Sequence, residues 1–354
     1  MKCGSVHCRE GASCVSGACE LVGCVGVTVP GDYATVHAAA SALQAAGGTI
    51  CIGAGTFRED VSVVTGSTAI NIQGVSPEKT TVRSFALQGI VTVRGLATTA
   101  TVQADVYSAT VSNVRFTSST GYALEVTTNG ITIKASTVAG QHGGIHIRNA
   151  NHTLDDLATI ATTLDGCDIS GGTESAIELD EPSSSTVNPP VTLAVTNSWI
   201  HDSKVGLFFS GDDGCPGMPC PNKGSSVSDA ISIVNDTFTG NATAVLATTV
   251  RDGPQTLGYF NTLIVNNAFG VSVNGLVTQV NGNNLLFGNT TNYLGATDGP
   301  GYVKNDAHLD SASPPNPALG SPARGAADVA RAPATDYWGR PRGSKPDIGA
   351  LQNP

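Results

Sequence analysis

Six stretches of the chain repeat one pattern: "NVRFTSSTGYALEVTT", "STVAGQHGGIHIRN", "CDISGGTESAIELDE", "NSWIHDSKVGLFFSG", "NDTFTGNATAVLATT" and "NTLIVNNAFGVSVNG". In each, a hydrophobic residue precedes five or six polar or small ones, and then a Gly or Ala opens an alternating run. Alternation of apolar and polar residues marks a strand with one buried face. Short strands recurring in this way, with no helical pattern between them, predict a parallel solenoid whose coils stack about 4.8 Å apart. The intervals vary, and the longer ones are filled by loop-like inserts. Composition agrees: Gly (42 residues), Thr, Val, Asn and Ser abound, while Met is down to 2 and Lys and Glu are scarce, so long helices are not expected.

Asparagine stands three residues before the hydrophobic position at Asn113, Asn197, Asn235 and Asn261, and again at Asn284 in "NNLLF". A carboxamide can donate to one coil's turn and accept from the next, so these residues are expected to form an asparagine ladder along one corner.

Charged residues are only 13% of the 354, and the net charge is −10. A polyanion such as nucleic acid is repelled by such a surface. No apolar run reaches the roughly 20 residues of a transmembrane helix. No apolar leader core follows Met1, so the chain reads as a mature form. Five of nine cysteines, Cys3, Cys8, Cys14, Cys19 and Cys24, fall in the first 24 residues, spaced for a disulfide knot rather than a zinc site. Cys215 and Cys220 bracket "PGMP" in a loop. This usage points to an oxidising, extracytoplasmic setting, secreted or at the cell surface. One thiol is left over: either Cys3 is a lipid-attachment residue, or Cys167 is a buried free thiol.

The ends of a solenoid need covers. At the front, "YATVHAAASALQAAGG" puts Val36, Ala39, Ala40 and Leu43 on one face of a short helix that stops at a Gly pair. It leads into "TICIGAGTFREDVSV". Over Gly48–Glu59 this resembles the opening of pectin-lyase-like right-handed parallel β-helix proteins, where a capping helix runs into "TI-x-I-x-x-G-x-[YF]-x-E". Cys51 lies in this first strand, and pairing with Cys24 would tie the knot to the solenoid. The closing stretch, "SPARGAADVARAPATDYWGRPRGSKPDIGALQ", is similar to the C-terminal segment of many bacterial surface β-helix proteins. Asp336, Gly339, Arg340, Asp347, Ile348, Gly349 and Ala350 carry the match, while "SPARGAA" and Gln352 depart from it. The expected fold is therefore all-β, a right-handed parallel β-helix. Its parts are a Cys-rich knot at 1–30, a capping helix at 31–47, the solenoid at 48–305 and a C-terminal capping segment at 306–354.

Aligning the repeats with Ile145, Ile147, Ile177, Leu179, Leu207 and Phe209 facing in sets the outward columns. One runs Glu125, His146, Glu178, Phe208, Leu246, Ser272; the next runs Thr127, Arg148, Asp180, Ser210, Thr248, Asn274. His146, Arg148, Glu178 and Asp180 are the candidate catalytic residues, with Glu125 and Phe208 as substrate contacts. A base of Arg or His type can take the proton beside a uronate carboxylate. Glu178 and Asp180 lie two apart on a strand, about 6.6 Å between Cα atoms, near the spacing of inverting glycosidases. Inserts at 181–190, 211–226 and 251–257 are placed to wall a groove over this face. Cross-strand charge pairs also stabilise a sheet with no substrate at all.

"SGDDGC" at 210–215 resembles the "GDDC" element of polygalacturonases, but their "GHG" and "RIK" elements do not follow it. No cofactor is required; Asp212 and Asp213 make a candidate Ca2+ site. "WGRPR" at 338–342 resembles the "LGRPW" of pectin methylesterases without their "DFIFG"; it reads as a capping motif, with Arg340 pairing with Asp336 or Asp347. With every catalytic signature incomplete, the expected function is carbohydrate binding, adhesive or structural. The alternatives are a polysaccharide lyase or glycoside hydrolase acting on an acidic polymer, and a spacer with no site.

Overall fold

Val191–Thr196, "VTLAVT", shows how the chain builds its walls. Val191, Leu193 and Val195 are buried, and the residues between them are half-exposed on the other face. The same alternation recurs in strand after strand, and from Tyr122–Val126 onward each strand pairs in parallel with the one three places later. That rule winds the chain into a parallel β-helix with three sheets. The computed structural model describes all residues except 1, 4–5, 9–12, 128–129, 149–159, 181–190, 212–228, 250–254, 276 and 354.

The front sheet holds Tyr122–Val126, Gly143–Arg148, Ser175–Asp180, Val205–Gly211, Thr243–Thr249, Phe269–Asn274 and Thr291–Leu294. The middle sheet holds Gly130–Lys134, Ile160–Asp165, Val191–Thr196, Ala230–Val234, Gln255–Phe260 and Val277–Gly282. The rear sheet holds Thr137–Gly140, Asp168–Gly171, Trp199–His201, Thr237–Thr239, Leu263–Val265 and Leu285–Phe287. Nearer the N-terminus, the long strands Thr80–Thr98 and Val102–Ser118 bend round the corners and serve more than one sheet each. Inward residues stack in register through one core: Leu124, Ile145, Ile177, Leu207, Val245 and Val271 form one such column. Full burial of each Leu or Ile contributes about 1.5–3 kcal/mol.

The N-terminal helix is shorter than 31–47, covering Val36–Leu43 and burying Val36, Ala39 and Ala40. Thr35 caps it through Oγ1, which accepts from Ala38 N at 3.1 Å. Glu59, from the strand Gly55–Val64 in the matched opening, accepts from Val36 N and His37 N at 2.9 and 3.0 Å. A carboxylate there satisfies two orphan donors and the positive end of the helix dipole.

Disulfides join Cys3–Cys14, Cys8–Cys19 and Cys24–Cys51, the last linking the N-terminal knot to the solenoid. Cys3 is therefore consumed, which removes the lipid-attachment alternative, and Cys167 is a buried cysteine outside these three disulfides. Cys215 and Cys220 lie outside the described residues.

The asparagine column does something different from a continuous ladder. Asn113, Asn197, Asn235, Asn261 and Asn283 occupy the left-handed backbone region, φ 52–58°, at the corner between the middle and rear sheets. Asn tolerates this conformation better than most residues. The matching residue in the last coil is Asn283, not Asn284: Leu286 is buried while Phe287 is exposed. Asn284 sits one place on and accepts from Thr262 N at 2.9 Å. Within the column, one side-chain link joins Asn261 Nδ2 to Asn235 Oδ1. A stack of amides exists instead at the rear-to-front corner. There Ser203 N donates to Asn241 Oδ1, Asn241 N and Nδ2 to Asn267 Oδ1, and Asn267 N and Nδ2 to Asn289 Oδ1.

The asparagines of the first column hold the C-terminal segment. Residues 295–303 close over the last coil: Gln279 and Asn281 donate to the carbonyls of Gly295 and Thr297, and Tyr302 packs on Tyr293. The 306–354 segment then runs back along the flank as a strap. Asn283 Nδ2 donates to Ala326 O, Asn261 exchanges two bonds with Asp328, and Asn235 Nδ2 donates to the carbonyls of Asp347 and Gly349. Arg342 Nη2 reaches Asn197 Oδ1 at 2.8 Å. Beneath the strap, Ile348, Ala323 and Ala327 pack on Leu263, Val265 and Leu285 of the rear sheet. Arg340 pairs with Asp336, at 2.6 Å from Nη2 to Oδ2, so "DYWGRPR" acts as a structural fold-back.

Candidate functional site

The front sheet sets its outward residues by register. Glu125 pairs with His146, His146 with Glu178, Glu178 with Phe208, Phe208 with Leu246 and Leu246 with Ser272. The next column runs Arg148, Asp180, Ser210, Thr248 and Asn274. Both columns follow the alternation of their strands, since Ile145, Ile147, Ile177, Leu179, Leu207 and Phe209 are all buried.

Tyr122 is the residue that turns the columns into a site. It opens its strand, and its ring lies over Gly143, where any Cβ would collide with it. The first glycine of "GGIHIR" thus makes room for an aromatic ring from the preceding coil. The ring packs against His146 at 4.7 Å between centroids and meets His142 edge-on at 5.1 Å. Its hydroxyl reaches one coil further and donates to Glu178 Oε2. Burial, and then the Glu178 carboxylate, push the Tyr122 pKa up, so it remains a phenol and a donor.

His146 is only 4% exposed although it lies on the outer side of the sheet. Arg148 Nε donates to its Nδ1 at 3.1 Å. Arg148 itself is exposed, while Glu125, Glu178 and Phe208 are half-buried. The structure therefore brings Tyr122, His146, Arg148 and Glu178 together, with Glu125 and Phe208 in register on either side. Asp180 holds the register position beside Arg148, and its side chain lies outside the description. The inserts at 181–190 and 212–226, with Asp212 and Asp213, also lie outside the described residues; Gln255–Leu257 of the third expected insert belong to a strand.

A second polar group lies on the rear sheet, where Asp168 pairs in register with Trp199. His201 Nε2 and Nδ1 each sit 2.8 Å from a carboxylate oxygen, of Asp168 and Asp202 respectively, and the ring stacks on Trp199 at 3.6 Å. Burial alone would lower its pKa, but the two carboxylates outweigh that and leave it raised. The rear strands, three or four residues long, gave too short a pattern to expose this pair, although aligning Asp168, Trp199 and Thr237 would have shown the column. Among the described residues, the one close group of metal-ligating types is Cys3, Cys8 and Cys19, all engaged in disulfides.

No protein-family model matches the chain, and no curated protein matches it. Among solved structures, it is similar to the crystal structure of pectate lyase Pel9A, with a TM-score of 0.55 at 14% identity. The similarity covers 93% of this chain and 96% of that one. The likeness shows the fold alone. Nothing in it transfers a residue or a reaction, because β-helices host unrelated activities.

Proposed function

We propose that the chain binds carbohydrate polymers along its front sheet, as a secreted or cell-surface adhesive or structural protein. One observation carries this reading. Consecutive coils hold Glu125, His146, Glu178, Phe208, Leu246 and Ser272 in one register, so an extended polymer lying along the axis runs over Glu125, Glu178, Phe208, Leu246 and Ser272, with His146 buried against the Tyr122 ring. Polar side chains beside a flat aromatic face suit a sugar ring, whose edges bear hydroxyls and whose faces bear C–H groups. The three disulfides support an oxidising compartment, and no helix among the described residues is long and apolar enough to cross a membrane.

Binding is favoured over turnover because the acid–base groups engage one another. The Tyr122 hydroxyl is committed to Glu178, and an Arg148 N–H is committed to His146. The enzymatic reading retains one observation: an imidazole buried in register between two carboxylates is the kind of group that functional sites contain. The test is affinity electrophoresis through gels cast with neutral, acidic and amine-bearing polysaccharides, with parallel assays for unsaturated products and new reducing ends. Retardation that is lost in Phe208→Ala, without product formation, is the expected result. Product formation abolished by His146→Ala would replace binding with catalysis. Absence of retardation in every gel would leave only the spacer.

A further inference from the structure

Among the described residues the charges around this site are unbalanced, and the imbalance selects a ligand class. Exposed Asp105 lies one residue past Ala104, which pairs with Val126 in the neighbouring coil. With half-buried Glu125 on the next coil and half-buried Glu178 two coils beyond that, it puts three described carboxylates on this face within four successive coils. Against them stands Arg148, whose Nε is already given to His146 and whose register partner is Asp180. Glu174 beside the site is neutralised by Lys204 at 3.0 Å. With coils about 4.8 Å apart, Asp105 and Glu125 lie inside the Debye length of roughly 8 Å. Glu178 stands two coils beyond Glu125, about 9.6 Å away, so an extended ligand along the axis meets the carboxylates in turn. The whole chain adds to the effect with its net charge of −10.

A polyuronate would bring one more negative charge to such a face with every sugar, and a neutral glycan would leave the carboxylates unanswered. We propose that the front sheet selects a glycan bearing protonated amines, an amino-sugar polymer whose ammonium groups meet Glu125, Glu178 and Asp105 while its rings lie on Phe208. This rests on the carbohydrate-binding reading above and narrows it to one chemical class.

Glucosamine oligomers, the same oligomers fully N-acetylated, and galacturonate oligomers of equal length separate the possibilities. Titration calorimetry at mildly acidic pH should show the glucosamine oligomer binding at least about tenfold more tightly than the other two, and about 0.5 M salt should remove that preference. Glu125→Gln should weaken glucosamine binding about two- to fivefold, and Arg148→Gln should strengthen it by a similar factor. The Arg148 sign is diagnostic, because a uronate-binding site would respond in the opposite direction. Equal affinity for the acetylated oligomer would overturn the amine preference while leaving carbohydrate binding intact. Tighter binding of the galacturonate oligomer would likewise overturn it. If none of the three binds, both the amine preference and the carbohydrate reading fall. Melting curves of both variants identify any loss that comes from misfolding, and the salt dependence of the unaltered protein needs no variant.

Discussion

The front and rear sheets are made by the same winding of the same chain, yet one faces outward and the other is sheathed. The difference lies in their outward columns. On the rear sheet the outward positions of the last coils include Leu263, Val265 and Leu285, apolar residues that would form a sticky patch if left bare. The strap covers them, anchored through the corner asparagines. On the front sheet the outward column runs Glu125, His146, Glu178, Phe208, Leu246, Ser272 and Leu294, and the strap's bonds described above go to the corner asparagines instead. Outward composition, not the winding, decides which face of a solenoid becomes structure and which stays open for a ligand.

The sharpest way to break this contrast is to loosen the strap. Ile348 is fully buried against the rear sheet, and Ile348→Ala should cost about 3–4 kcal/mol through lost transfer energy and a cavity. Chemical denaturation measures it, and polymer binding by the front sheet should survive wherever the protein remains folded. Arg342→Ala should follow at about 3 kcal/mol, because Asn197 Oδ1 and the carbonyls of Gly349 and Ala350 would lose a charged donor. Burial pulls the Arg342 pKa down to about 10, which still leaves it charged at neutral pH. If either variant melts like the unaltered protein, the strap is not what holds the rear face.

On the front sheet the same size of change should reverse its effect. Tyr122→Phe keeps the ring on His146 and removes only the hydroxyl from Glu178, so stability should fall by at most about 1 kcal/mol. Polymer retention should change more than the melting temperature does. A large stability loss with unchanged retention would make Tyr122 a strut of the fold and dissolve the proposed site.

How far the sequence reached follows the same division. Strand alternation has a strict period of two, so the register of Glu125, His146, Glu178 and Phe208 was legible from the pattern alone. Tyr122 was not, because it acts across coils from the first position of its strand; only the two glycines of "GGIHIR" hinted that something lay over them. The corner asparagines were visible but misassigned. Their spacing reports a left-handed backbone conformation, while their side-chain partners lie up to 145 residues away in the strap, as with Asn197 and Arg342. A local repeat carries no information about such distant partners. The amide stack of Asn241, Asn267 and Asn289 was hidden for a simpler reason: it falls within the turn that the repeat alignment treated as variable spacer.

The smallest expected effect lies at the border between the two regimes, where His201 and Trp199 sit at the edge of the strap. Because the His201 pKa is raised above its usual 6.5, its contribution to stability is fully present below that value. It is lost as pH rises through the raised folded-state pKa. Asp236 acts in the same direction. Its carboxyl is buried, and burial pushes its pKa well above the ordinary range despite the N–H groups of Ser198 and Val234 that favour the charged form. Stability should therefore decline as pH rises above 3.8 for Asp236 and above 6.5 for His201, in each case until the raised folded-state pKa is passed, apart from any change in the front sheet. His201→Gln should flatten part of that slope, and Asp236→Asn should remove a further part. A slope unchanged in His201→Gln would mean that the two carboxylates do not hold the ring charged in the folded protein.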